Sequence, residues 1–460
     1  MSTAKASSKT KARVLPPPVL KPRHWLMGSA YYIRKDPLRW IPEWASAHGP
    51  VFMIESPLGN ATVVGDPQLA RKVMSEQYPT FIEKGMSYVV LKQLLGNGLV
   101  TSSGEFWRAQ RKLTQPAFHR SRLQAIFRMM VQRSEEAVER LGAAAQETDL
   151  APFFSELTLD VISRAMFSTD VGDNAAAVGS HIAILNEKAI DALRQPWRLF
   201  LPKTFPTPFN AVEFEAMASL NSIIHGIIEE RRRKDSDAHD DLLGMFLSAC
   251  DEETGQGMTN EQLRDEVMTI FVAGHETTAN AMCWLLYLLS LHPDASERLR
   301  AEIDSAGDAL ASGNTEAFPY LRRVIEESLR LYPTIWAVGR RSVHDDELGG
   351  FFIRKGTTVV LPIFHYHWSE EHWQNPAHFD PDRFLPERNP PLDAYMPFGA
   401  GPRGCIGKQF ALQELLIMTA VFLKKFRVLP VPGFEVKPDP LITLRPKHGM
   451  LLRLLPNQSL

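Results

Sequence analysis

One stretch of the chain has the residue types and spacing to bind a metal through sulfur: Phe398-Gly399-Ala400-Gly401-Pro402-Arg403-Gly404-Cys405-Ile406-Gly407. A cysteine binds metal as its thiolate, which free backbone N–H groups and the positive end of a helix stabilise. Cys405 stands just ahead of a stretch with helical patterning, Gln409–Phe426, and so occupies such a position. Gly401 and Gly407 allow a tight loop and a close approach of backbone to a flat ligand. Arg403 can pair with a carboxylate of that ligand, and Phe398 can cover the sulfur and exclude water. From average residue usage, the five fixed positions are expected by chance in such a chain on the order of once in ten thousand. Cys250 and Cys283 lack such neighbours and read as small core hydrophobes.

Three further groupings can support chemistry at that site. Ala273-Gly274-His275-Glu276-Thr277-Thr278 lies inside a long apolar helix. Gly274 is costly there, and the Thr277 hydroxyl can bond back to the carbonyl of Ala273 at i−4, which together permit a local opening. An acid beside an alcohol in an apolar helix can relay protons. Glu327 and Arg330, at i and i+3, share one helix face. Trp107 and Arg111 lie one helical turn apart.

A largely helical chain must position these residues. Apolar residues recur at helical spacing over Leu123–Leu141, over Phe214–Ile228, and most clearly over Glu261–Leu291. The last opens with Thr259 and Gln262 at capping-box spacing and ends before His292-Pro293. Asp294 is placed to cap a next helix, Ala295–Ala306, and another runs over Tyr320–Leu331. Val51–Ile54 and Ala61–Val64 read as a hairpin around Pro57–Gly59, and Gly350–Ile353 with Thr357–Leu361 as a second around Lys355-Gly356. No repeat or low-complexity linker divides the chain. The expectation is a mainly α domain with small β-sheets over residues 38–460, behind a basic, proline-containing arm over 1–37. That arm has no acidic residue before Asp36 but carries Lys5, Lys9, Lys11, Arg13, Lys21, Arg23, Arg34 and Lys35.

The 460 residues are 44% hydrophobic and 23% charged, ordinary values for a globular chain. A net charge of −2 gives no overall pull toward nucleic acid or anionic membrane. No stretch approaches the roughly 18 continuous apolar residues of a membrane span. Three cysteines exclude a disulfide framework and fit a reducing compartment.

In these motifs, and in their order, the sequence resembles the cytochrome P450 family, from about Leu38 to Leu454. The resemblance implies that family's single-domain fold, with the long helix over haem b and Cys405 as the axial thiolate, a ligand that favours O–O cleavage. It implies insertion of one oxygen atom from O2 into a hydrophobic substrate by hydroxylation or epoxidation. Thr277 then matches the proton-relay alcohol and Glu276 the acid. Glu327, Arg330 and Arg383 match a structural cluster that fixes the loop leading to Cys405, with Asp382 where the family usually has Glu. Trp107, Arg111 and Arg340 match contacts to the haem propionates, Arg341 being a one-residue rival of Arg340. Arg403, Phe398, Gly407 and Ala273 fall at other haem-contact positions.

The expected substrate walls are Met86 and Val89 in a loop over Met86–Leu91, then Ile270 and Ala273, Ile335, Trp336 and Ala337, and Ile442. A lid region spans Phe200–Phe209, and Trp336 would narrow the cavity. The motif style is nearest to the fatty-acid and alkane hydroxylating branches, and a fatty acid, terpenoid or other lipophile fits. Electrons are expected from a ferredoxin or flavodoxin with an NAD(P)H reductase, docking at Arg108, Lys112 and Lys408. The whole reads as a soluble, cytoplasmic monomer with no nucleic-acid partner and no membrane anchor.

Overall fold

The computed structural model describes residues 15–20, 24–56, 59–85, 88–142, 146–167, scattered positions between 178 and 188, 210–233, 241–251 and 255–457. Its helices are α1 (Ala30–Lys35), α2 (Pro37–His48), α3 (Pro67–Met74), α4 (Tyr88–Leu95), α5 (Gly104–Thr114), α6 (Arg120–Arg140), α7 (Leu150–Phe167), α8 (Ala211–Arg233), α9 (Leu242–Ser248), α10 (Asn260–Leu291), α11 (Pro293–Ser305), α12 (Pro319–Leu331), α13 (Ile363–Trp368) and α14 (Lys408–Lys425). The strands are β1 (Val51–Ile54), β2 (Ala61–Val64), β3 (Gln146–Asp149), β4 (Val338–Arg341), β5 (Asp346–Leu348), β6 (Phe351–Ile353), β7 (Thr358–Leu361), β8 (Phe426–Pro430), β9 (Pro438–Pro440), β10 (Leu444–Pro446) and β11 (Leu451–Pro456).

Helix α10 is the axis of the molecule. Its start is the capping box read from the sequence: the Gln262 N–H donates to Thr259 Oγ1 at 3.2 Å, and the Thr259 N–H to Gln262 Oε1 at 2.8 Å. Buried residues occur on nearly every face of the helix, as they must in one enclosed by other elements. It packs on α7, α8, α12 and α14. Gly274 allows α7 to approach closely, since a Cβ there would lie 3.3 Å from Ile162 Cδ1, a tight contact. The helix runs unbroken through Gly274, so the local opening that its sequence permits is not formed. Beyond it, α11 begins at Pro293 with His292 as its N-cap. Asp294 sits in the first turn rather than at the cap and there complements the helix dipole.

The main sheet has the order β1-β2-β7-β4, with β1 antiparallel to β2, β2 parallel to β7 and β7 antiparallel to β4. The second expected hairpin is therefore wrong. β6 folds back on β5 through Gly349 (φ +58) and Gly350 (φ +80), while β7 enters the main sheet between β2 and β4. The alternation of β7 explains this, since Val359 and Leu361 are fully buried and need a sheet interior. Part of the stretch expected as an arm is built into the fold. Val19 bridges Met53, and Leu20 is buried with Ile41, Trp44 and Phe52. Residues 1–14 and 21–23 lie outside the described residues. Among the described residues no helix is long and apolar enough to cross a membrane.

Candidate active site

The cysteine loop hangs from a buried ionic scaffold. Glu327 and Arg330 on α12 are both fully buried and pair bidentately, Nε to Oε2 at 2.7 Å and Nη2 to Oε1 at 2.8 Å. Arg383 joins them, its Nε donating to Glu327 Oε1 at 3.3 Å. Arg383 also ties down the carbonyls of Gln374 and His378. Asp382 faces outward to Arg298 and Arg323, and the Arg298 hydrogen bond holds its carboxyl below the usual range. His367, which the sequence reading missed, carries the connection onward. Arg330 Nη1 donates to its carbonyl at 2.8 Å, and its Nε2 accepts the Met396 N–H at 3.0 Å. Nδ1 is then the protonated nitrogen, donating to the Arg330 carbonyl at 3.1 Å. Burial pushes this imidazole down to about 3, so it stays neutral.

From Met396 the chain turns through Gly399 (φ +70) and Gly401 (φ +65). A Cβ at position 401 would overlap the Met74 carbonyl of α3, so glycine is needed both for the left-handed backbone and for the close approach. The Cys405 N–H donates to the Phe398 carbonyl at 2.9 Å. Arg111 of α5 reaches into the same loop, its Nη1 donating to the Gly404 carbonyl at 3.1 Å. Lys408 lies over the Phe398 ring at 5.7 Å. Cys405 keeps exposed surface although protein surrounds its thiol closely. Burial pushes the thiol up, while the Gly407 N–H, Arg111 and Lys408 pull it down. Metal coordination tips such a balance, because a bound thiol is deprotonated outright. Among the described residues, no atom beyond the chain neighbours of Gly407 lies within 4 Å of where its Cβ would be.

A cluster of cations adjoins this loop. Arg403 lies over the buried Trp107 ring at 4.3 Å, and its Nη2 donates to the Ser102 carbonyl at 2.7 Å. Arg340 is buried, whereas Arg341 is exposed and donates to the Gly356 carbonyl, so Arg340 is the one turned inward. Lys84, which the sequence reading also missed, completes the group. Burial, then Arg340 and Arg403, hold its ammonium well below the ordinary lysine range. Burial, then Arg340, pull Arg403 down to about 10. Arg340 Nε and Arg403 Nη1 are buried without an acceptor. Like charges packed together with orphaned donors are costly unless an anion joins them. A planar group with two carboxylates and an iron for Cys405 fits this donor set, and those are the features of haem. Among the described residues no cluster of His, Cys, Asp or Glu could hold a free metal ion.

On α10 the Thr277 Oγ1 donates to the Ala273 carbonyl at 2.7 Å, as the spacing predicts. Ala273 is exposed in mid-helix, and Thr277 shares its face at i+4. Glu276 does not bond to Thr277. Its Oε1 accepts from Thr443 Oγ1 at 2.6 Å, and Thr443 in turn accepts from Asn280 Nδ2 at 3.3 Å. Consecutive helical residues point about 100° apart, which separates the acid from the alcohol. Burial raises the Glu276 carboxyl, against the Thr443 hydrogen bond and Arg445. His275 faces α7, 3.2 Å from Ser155 Oγ, and burial pushes it down to about 4.

Of the expected substrate walls, Val89 is exposed on α4, which forms a helix where a loop was expected. Ile270 is buried in the main core, and Ile335, Ala337 and Ile442 are half-buried. The Trp336 indole N–H donates to the Leu441 carbonyl at 2.9 Å, and the ring packs on the core under β1 and β2. Met86 and Phe200–Phe209 lie outside the described residues. Of the expected docking cations, Arg108 pairs with Glu105 and Lys112 with Asp251.

Comparisons with known proteins identify the family and the fold. The cytochrome P450 family profile matches residues 17–453. The cyclooctat-9-en-7-ol 5-monooxygenase of Streptomyces melanosporofaciens is 33% identical over 413 residues, 89% of this chain and 88% of that protein. The pentalenene oxygenase of Streptomyces avermitilis is 32% identical over 442 residues, 93% of this chain and 95% of that protein. The crystal structure of the cytochrome P450DA heme domain superposes with a TM-score of 0.85 at 28% identity, covering 97% of this chain and 98% of that one. With a family match over nearly its whole length and a fold to go with it, the chain belongs to the cytochrome P450 family.

Proposed function

We propose that Cys405 is the axial thiolate of haem b in this enzyme. Arg340, Arg403, Trp107 and Arg111, with Lys84, hold its carboxylate edge, and Phe398, Gly407 and Ala273 border its faces. As a cytochrome P450, the chain is a haem monooxygenase that acts with O2 and redox partner proteins on a hydrophobic substrate. The observation that carries the site assignment is the cation group beside the cysteine loop, where two guanidinium N–H donors are buried with no acceptor. Bound haem would supply the binding and activation of O2 and the insertion of one of its two oxygen atoms into the substrate. The protein residues supply the rest. Arg111 and the Gly407 N–H favour the anionic form of Cys405. Thr277 presents a hydroxyl on the accessible face of α10, and Glu276, held by Thr443, keeps a proton to higher pH than an ordinary carboxyl. Moving that proton to Thr277 needs a water or a turn of the Glu276 side chain.

For the substrate we propose a cyclic terpenoid rather than a fatty acid, supported by the names of the two Streptomyces relatives. Val89, Ile270, Ile335, Ala337 and Ile442 are apolar, as such a substrate requires. A ferredoxin or flavodoxin with its NAD(P)H reductase is the proposed electron source for a cytoplasmic monomer. The test is turnover of cyclic terpenes and of fatty acids with a surrogate ferredoxin and reductase under 18O-labelled O2. The expected product is a terpenoid carrying one labelled oxygen. Equal product formation without O2 would overturn the monooxygenase reading, and turnover of fatty acids alone would overturn the substrate class.

A further inference from the structure

Ahead of the Ala273–Thr277 face, α10 carries Arg264, Asp265 and Glu266, which no part of the reaction yet uses. Their side chains are engaged by the loop that follows α4. The Asn97 N–H donates to Asp265 Oδ2 at 2.6 Å, and the Leu99 N–H to Glu266 Oε2 at 3.1 Å. The loop is shaped to receive them. Gly96 is left-handed (φ +62), and a Cβ there would overlap the Asp265 carboxylate. A Cβ at Gly98 would overlap Thr269 Oγ1 and come within 2.6 Å of the Asp265 carbonyl. Side chain and loop therefore fit only if both glycines stay glycine. Arg264 extends the clamp in the other direction. Its Nη1 pairs with Asp265 Oδ1 at 2.8 Å, its Nη2 donates to the Leu94 carbonyl at the end of α4 at 3.4 Å, and its Nε donates to Asn221 Oδ1 of α8 at 2.8 Å.

The far end of the loop is also fixed. Thr101 Oγ1 donates to the Gly96 carbonyl at 2.7 Å, closing the loop on itself. One residue on, the Ser102 carbonyl accepts from Arg403. Residues 96–102 thus form a strap from α10 to the cysteine loop, with α4 attached at its start. Glu266 is almost fully buried, and burial pushes its carboxyl up to about 8. A carboxyl kept there to receive one backbone N–H is there for position, since at that depth an apolar side chain costs less.

We propose that Asp265 and Glu266 are positioning residues for substrate binding. They hold the loop over 96–99 and, with Arg264, set the placement of α4 and so the substrate-facing wall that carries Val89. This rests on the reading of α4 as a pocket wall. The strap is anchored at Arg403, so the wall and the haem carboxylate edge are held by one segment.

The test uses the full-length holoenzyme and compares the unmutated protein with Asp265→Ala and the gentler Asp265→Asn, which keeps an acceptor oxygen. Hydrogen exchange at the Asn97 amide reads the clamp directly. Loss of a hydrogen bond to a charged acceptor predicts exchange faster by roughly tenfold or more in Asp265→Ala, and by less in Asp265→Asn. Affinity for 4-phenylimidazole, an azole that ligates haem iron from the substrate side, reads the pocket. It should weaken several-fold in Asp265→Ala, with partial recovery in Asp265→Asn and an unchanged ferrous–CO spectrum. A Gly96→Ala substitution should cost less azole affinity in the Asp265→Ala background than alone, because its clash partner is gone. Unchanged exchange at Asn97 overturns the clamp, and faster exchange with unchanged azole affinity overturns the positioning role. Failure of the haem-thiolate reading shows separately, in the CO spectrum of the unmutated protein.

Discussion

Replacing Glu327 by alanine is the perturbation whose cost is easiest to work from the structure. Its carboxylate accepts from Arg330 Nε and Nη2, from Arg383 Nε and from the Asp380 N–H, at 2.7, 2.8, 3.3 and 3.0 Å. Glu327 and Arg330 are both fully buried, so alanine leaves a guanidinium in the interior without a counterion. Breaking one side of such a pair costs about 3–5 kcal/mol. The stranded Asp380 N–H adds about 1–3 kcal/mol. The sum, about 4–8 kcal/mol, is comparable with the whole stability of a typical protein, about 5–15 kcal/mol. The loss also travels, because Arg330 holds the His367 carbonyl and His367 holds Met396 at the start of the cysteine loop. Glu327→Ala should therefore lower the urea midpoint sharply and abolish the thiolate-type ferrous–CO spectrum at 37 °C. Glu327→Gln keeps the volume and one acceptor oxygen, so its loss should be smaller. The assay is urea denaturation followed by circular dichroism alongside the CO spectrum. A Glu327→Ala protein destabilised by less than about 1 kcal/mol, the range of an exposed ion pair, would refute the reasoning.

Other substitutions separate the remaining parts of the site. Thr277→Ala removes the hydroxyl that donates to Ala273; haem content should stay unchanged while electrons are diverted from product to peroxide, measured as the ratio of product to NADPH consumed. Gly401→Ala forces a Cβ onto the Met74 carbonyl at φ +65 and should lower haem incorporation, read as the haem-to-protein absorbance ratio. Glu414 of α14 is buried beside Thr278, with neither oxygen in a normal hydrogen bond, and burial pushes it up to about 8. Between the ordinary value of 4.5 and about 8 the unfolded chain carries this charge and the folded chain holds the proton, so the group's contribution to stability falls as pH rises through that window. Glu414→Gln should flatten the fall in melting temperature between pH 5 and 8, and an unchanged slope would contradict the assignment.

What the sequence reveals here is what short spacing determines. The Thr259–Gln262 cap, the Thr277 bond to Ala273 and the Glu327–Arg330 pair all join residues three or four apart on one helix, and each forms as read. The cysteine loop was legible for a similar reason, since its glycines and cysteine act within ten residues. The illegible parts are non-local. Lys84 meets Arg340 and Arg403 only in the folded chain. His367 works through backbone groups of Arg330 and Met396, which carry no residue signature. The clamp from Asp265 to the Asn97 N–H spans 168 positions, and nothing at either end announces the other. The pairing of β7 with β2 and β4 was missed because a nearby turn, Lys355-Gly356, offered a simpler hairpin.

The most direct test of the central claim is the absorption spectrum of the reduced, CO-bound protein, for the unmutated chain and for Cys405→His. The account predicts the red-shifted Soret band of a thiolate-ligated haem in the first and its loss in the second, with haem still bound. An unmutated protein without that band, or a Cys405→His protein that keeps it, would contradict the assignment of Cys405 as the iron ligand.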